Sequence, residues 1–153
     1  MRVELTLWSI CGGLMLALLL PGCAACPKAG DCGSSADAIF GGWTLVSVGG
    51  DPIDKTLGEG MQPPDMRGSD DGSISGFAGV NRFSGRLDLG LAATGGFSSG
   101  PFAVTRMAGP PEAMELESRV LTALQEADRF LATADRLTLT KGDAVLLVYT
   151  AAR

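Results

Sequence analysis

Histidine is absent from the 153 residues, and aromatic side chains are few: six Phe, two Trp and one Tyr. Without an imidazole there is no Ser-His-Asp triad, no Cys-His pair, no His general base and no His-ligated zinc. Basic residues are also sparse, 12 against 17 acidic ones, which leaves a net charge of −5. They form no Lys- or Arg-rich stripe, so the electrostatic footprint of nucleic-acid binding is missing. No Ser-x-x-Lys arrangement occurs, Asp70 and Asp71 are simply adjacent, and Ser98 and Ser99 sit in a Gly-rich stretch. The sequence therefore carries no signature of an enzyme and calls for no cofactor. What it has in excess is glycine, 22 residues, about twice the usual share of roughly 7%. That favours one compact domain with many turns over a helix bundle.

The longest apolar stretch lies at the amino terminus. Residues 5–20 are interrupted by Thr6, Ser9, Gly12 and Gly13, and a bilayer span needs about 20 predominantly apolar positions. Residues 1–22 thus read as an export signal. The segment Leu20-Pro21-Gly22-Cys23 resembles the lipobox of bacterial lipoproteins. In that motif a small residue precedes the cysteine, whose thiol accepts a diacylglyceryl group. Cys23 is accordingly the expected lipidation site, although Pro21 departs from the commoner Ala or Ser. Plain cleavage ahead of Cys26, after Cys23-Ala24-Ala25, is the alternative. Lipidation implies stable membrane attachment, since each buried methylene contributes about 0.8 kcal/mol. Ala24 after the lipidated cysteine resembles an outer-membrane sorting signal, with the mature domain facing the periplasm.

Of the four cysteines, at 11, 23, 26 and 32, processing removes the first and lipid occupies the second. Cys26 and Cys32 remain, either paired in an oxidising compartment or as free thiols. They are too few for a structural metal site. Residues 23–39, rich in Ala, Gly, Ser and Asp, read as a flexible tether.

From residue 40 to 153 the chain reads as mainly β with one helix packed against the sheet. Residues 43–48 (Trp-Thr-Leu-Val-Ser-Val) form a strand ending at Gly49-Gly50. Residues 51–65 read as a loop, with a short strand at 65–67. Asp70-Asp71-Gly72 makes a turn. Strands follow at 74–76 and 81–89, the second alternating Phe83, Leu87 and Leu89 against Arg82, Arg86 and Asp88. One or two short strands are expected around Phe102 and Val104. Pro110-Pro111 with Glu112 and Glu115 starts a helix. Its apolar face is Ala113, Leu116, Val120, Leu121 and Leu124, and its expected wet face carries Glu117, Arg119 and Gln125. Three strands end the chain, at 130–132, 137–140 and 145–150. The last two are joined by Lys141-Gly142-Asp143, and residues 145–149, apolar on both faces, belong in the sheet interior.

Residues 74–85 (Ile-Ser-Gly-Phe-Ala-Gly-Val-Asn-Arg-Phe-Ser-Gly), residues 104–108 (Val-Thr-Arg-Met-Ala), an acidic helix and a terminal hairpin resemble the META domain of heat-inducible bacterial lipoproteins. The likeness runs from about Gly42 to Tyr149. It implies a small antiparallel β-barrel-like fold with one α-helix, an envelope location, and a loose link to stress tolerance or drug resistance. The motif positions that carry over are Gly79, Asn81, Phe83, Gly85, Thr105, Arg106 and Met107. For each the structural role is the first expectation: glycines at positive φ, Asn81 bonding a nearby turn, Phe83 and Met107 in the core. Family members typically have cysteines where this chain has Val80 and Gly109, so a cross-link between the two motifs does not carry over.

Two functions are weighed. One is a non-catalytic envelope lipoprotein acting through contact with another envelope protein. The other is a carrier holding a small apolar ligand inside the barrel, which requires a solvent-accessible cavity of about 300 Å³ or more.

Overall fold

A computed structural model describes residues 36–55, 57 and 60–152. The export signal, Cys23, and Cys26 with Cys32 lie outside the described residues. In chain order the strands are β1 (Gly41–Val48), β2 (Asp51–Pro52), β3 (Asp65–Gly68), β4 (Ser73–Phe77), β5 (Arg82–Arg86), β6 (Ala103–Val104), β7 (Arg129–Ala132), β8 (Arg136–Lys141) and β9 (Ala144–Ala151). A one-turn helix, α1 (Leu89–Ala92), follows β5, and the main helix, α2 (Pro111–Glu126), precedes β7. Short 3-10 turns occupy Ala36–Ile39 and Ile53–Lys55.

All strands join one antiparallel sheet in the order β6-β5-β4-β3-β1-β9-β8-β7, with β2 paired to β1. Among the described residues no continuous ladder closes it. Residues 95–100 instead bridge β7 and the end of β5. On one side the Phe97 N–H donates to Asp128 O (2.8 Å) and the Phe130 N–H to Gly95 O (3.0 Å). On the other side the Asp88 N–H donates to Ser98 O (3.0 Å) and the Gly100 N–H to Arg86 O (3.1 Å). Because β7 and β5, near opposite edges of the sheet, meet the same segment, the sheet curls into a barrel-like shape. The mainly β, one-helix class expected from the sequence is what the chain adopts.

Alternation decides which side chains fill this shape. Trp43 and Leu45 of β1, Leu137 and Leu139 of β8, and Phe130 and Ala132 of β7 are buried. A register shift between Leu45 and Ser47 in the β1–β9 ladder is a bulge that turns Val48 inward as well. In β9, Leu147, Val148 and Tyr149 are all buried, consistent with its place between β1 and β8. The hairpin turn falls on Gly142, whose φ of +55° suits glycine.

Two local readings are corrected. The strand expected over 81–89 stops at Arg86. Asp88 Oδ1 accepts the Leu91 N–H (3.1 Å) and caps α1, so Leu89 lies exposed at the start of a helix. The second correction is Glu117, which is not on a wet face but buried.

Helix α2 packs against β9 and β1. Leu116, Val120 and Leu124 point into the core. Arg119 Nη2 donates to Val48 O at 3.1 Å and pairs with Asp51 at 3.0 Å. Away from the helix, the first described turn packs at the start of β1. Ile39 is fully buried and its carbonyl accepts the Trp43 indole N–H at 2.9 Å. No helix among the described residues is long and apolar enough to cross a membrane.

Candidate functional site

Four of the seven motif positions, Gly79, Asn81, Thr105 and Met107, meet around the β4–β5 turn and the segment that leads into α2. Gly79 takes φ +142°, and a Cβ there would stand 2.9 Å from Ala113 O of α2. Glycine thus lets the turn touch the helix backbone. The next two residues present their N–H groups to one carboxylate. Glu117 Oε2 accepts from Val80 N (3.1 Å) and Asn81 N (2.5 Å), while Oε1 accepts from Asn81 Nδ2 (3.0 Å).

Asn81 then ties in the second motif. Its Nδ2 also donates to Met107 O (3.1 Å), and its Oδ1 accepts from Met107 N (2.7 Å) and the Thr105 hydroxyl (2.8 Å). A side-chain amide has two donors and two acceptor positions, and all four are used. Thr105 Oγ1 additionally accepts the Arg82 N–H at 3.1 Å. Three charge-assisted bonds are what make a carboxylate tolerable at 7% exposure.

Phe83 is in the core and meets Phe102 edge-on, with ring centroids 5.2 Å apart. Gly85 makes that contact possible, because a Cβ there would lie 2.7 Å from the Phe102 ring. Met107 contradicts the core expectation: only its backbone joins the network, and the residue is 60% exposed. Its neighbours Thr105, Arg106 and Ala108 are exposed too, so the segment runs over the surface and not through the core. Arg106 is exposed as well and has no part in the network. Val80 and Gly109 are neighbours, since a Cβ on Gly109 would stand 3.3 Å from Val80 Cβ.

Glu117 is the side chain of this network that the motif positions do not include. A signal existed: 113, 117, 120 and 124 share the helical spacing of the apolar stripe, so a carboxylate at 117 had to be buried and partnered.

Among the described residues, side chains fill the core enclosed by the sheet. Tyr149, Phe97, Leu45, Met66, Ile74, Leu116, Leu137 and Leu147 are fully buried in one contiguous cluster. A groove of about 790 Å³ lies elsewhere, open to solvent along β1, β3, β4, β5 and β6. Among the described residues no three His, Cys, Asp or Glu side chains group to hold a metal ion.

Solved structures share this architecture. One NMR structure is 29% identical, with 74% of this chain and 90% of that one covered and a TM-score of 0.55. A second, of a protein from Burkholderia xenovorans, has a TM-score of 0.61 at 22% identity, covering 87% of this chain and 97% of that one. No curated protein matches the chain. The META domain family model matches residues 37–153, a span that takes in both motifs, α2 and the terminal hairpin, and on that match the chain belongs to the META domain family.

Proposed function

We propose that this protein is a non-catalytic, lipid-anchored envelope protein whose META domain acts by contact with another envelope component, in the service of stress tolerance or drug resistance. One observation carries the non-catalytic part. The Asn81 amide and both Glu117 oxygens, the most chemically capable buried groups of the motif, are consumed by internal hydrogen bonds. The Asn81 amide has no donor or acceptor left for a substrate, and Glu117 is held by three bonds, so both groups serve to hold loops in place. The filled interior argues against an apolar ligand carried inside the barrel.

The anchor rests on the Leu20-Pro21-Gly22-Cys23 segment. The test is fractionation of cells making the wild type or Cys23→Ser, with intact-mass measurement of the purified chains. The wild type should stay with the membranes and carry acyl mass on a chain beginning at Cys23. The variant should move to the soluble fraction, and persistence of an unacylated wild-type chain in the membrane would overturn the reading.

A further inference from the structure

The open groove has a floor and a charge pattern that the motif network does not explain. Register places Gly42 opposite Arg67, Arg67 opposite Ser75, Ser75 opposite Ser84, and Ser84 opposite Ala103. Directly paired residues project from the same face of a sheet. Arg82 lies two residues before Ser84 on β5 and so shares that face. Two hydroxyls therefore sit side by side with a guanidinium-bearing residue next to each. Gly42 and Ala103 at the ends of the row add no bulk, and the groove stays open at about 790 Å³, within the roughly 300–1,000 Å³ of small-molecule sites.

The electrostatics point the same way. Among the described residues neither Arg67 nor Arg82 has an ion-pair partner; the pairs present are Arg119–Asp51 and Lys141–Glu126. The Ser75 and Ser84 hydroxyls are likewise unbonded to protein groups. One carboxylate, Asp65, lines the groove, but its oxygens already accept from the Phe77 N–H (3.1 Å) and Gln62 Nε2 (3.2 Å). On a chain of net charge −5, two unpaired cations flanking two free hydroxyls form a local donor surface. Guanidinium forks match the oxygens of phosphate and carboxylate groups, and hydroxyls donate to the same oxygens.

We infer that this groove binds a small soluble molecule through a phosphate or carboxylate group seated over Ser75 and Ser84, between Arg67 and Arg82. The reading is independent of the lipid anchor and of any protein partner. It is tested by calorimetric titration of the purified full-length protein with inorganic phosphate, glycerol 3-phosphate and citrate at low ionic strength. The same titrations follow on R67Q/R82Q, S75A/S84A and, as a remote control, R136Q. All the altered side chains other than Arg136 line the open groove, and thermal melting verifies that each variant is folded. Saturable binding of at least one probe is expected, weakened tenfold or more in R67Q/R82Q, several-fold in S75A/S84A and less than twofold in R136Q. Absence of saturable binding by every probe, or equal affinity in R67Q/R82Q and wild type, would overturn the inference. So would binding confined to micelles of an anionic lysophospholipid, which would make the groove a lipid-headgroup surface.

Discussion

Asn81 and Glu117, 36 positions apart in the chain, meet through the Asn81 Nδ2 donating to Glu117 Oε1 at 3.0 Å. The pair joins the β4–β5 turn to α2, and through Met107 and Thr105 it also fixes the segment between β6 and α2. Removing either member strands buried partners, at about 1–3 kcal/mol per polar group left unsatisfied. Glu117→Ala strands the Val80 and Asn81 N–H groups and one Asn81 Nδ2 hydrogen, and Asn81→Ala takes one bond from the buried carboxylate and strands Met107 backbone groups, so each should lower unfolding free energy by several kcal/mol. The double variant should lose less than the sum, because the two act as one unit. Urea denaturation of the four proteins checks this; strictly additive losses would mean that the pair is not coupled.

Val80 and Gly109 occupy the places where relatives typically carry cysteines, and the backbone still holds those places together. A Cβ on Gly109 would stand 3.3 Å from Val80 Cβ, close to the roughly 3.5–4.5 Å that a disulfide spans. Valine branches at 80 fill the space, coming within 2.6 Å of that Cβ position, so Gly109→Ala alone should destabilise. The double variant V80C/G109C removes the branches and should oxidise spontaneously. A mass loss of about 2 Da, with a melting temperature that falls on adding reductant, is the expected outcome. Two thiols that remain free in air would show that the segments are further apart.

Tyr149 is buried and holds its phenolic proton more tightly than usual, first because burial disfavours the phenolate and second because of the nearby Asp65 charge. In the unfolded chain tyrosine ionises near pH 10. The unfolded state then releases a proton that the folded state retains, so stability is level below about pH 10 and falls as pH rises above it. Tyr149→Phe should remove that alkaline decline while leaving a folded protein. Urea midpoints measured from pH 8 to 11.5 distinguish the two; parallel curves would show that other groups control the alkaline limb.

Local pattern was enough for most of the fold. Leu137 and Leu139 alternate with polar neighbours and are buried as their spacing requires, and Pro111 with Ala113, Leu116, Val120 and Leu124 marks α2. Short-range competition explains one miss. Asp88 is a better helix cap than a strand residue, and its bond to the Leu91 N–H outweighs the apolar alternation that ran through Leu89. The candidate site was less legible because its partners are distant in sequence. Glu117 is charged, and charge ordinarily marks a wet face; the N–H groups that draw it inward belong to a turn set up by Gly79. The groove arises from five strands, and only the register that brings Arg67, Ser75 and Ser84 into one row reveals it.

The turn at Ala36–Ile39 carries a mechanical consequence. Ile39 is wholly enclosed, its carbonyl grips the Trp43 indole, and Gly68 is left no room for a side chain, since a Cβ there would press within 2.8 Å of the same carbonyl. The leading end of the domain is thus keyed into the interior like a stopper. A pull applied ahead of residue 36 would be delivered straight to Trp43, whose fluorescence should report the load before any strand is peeled away.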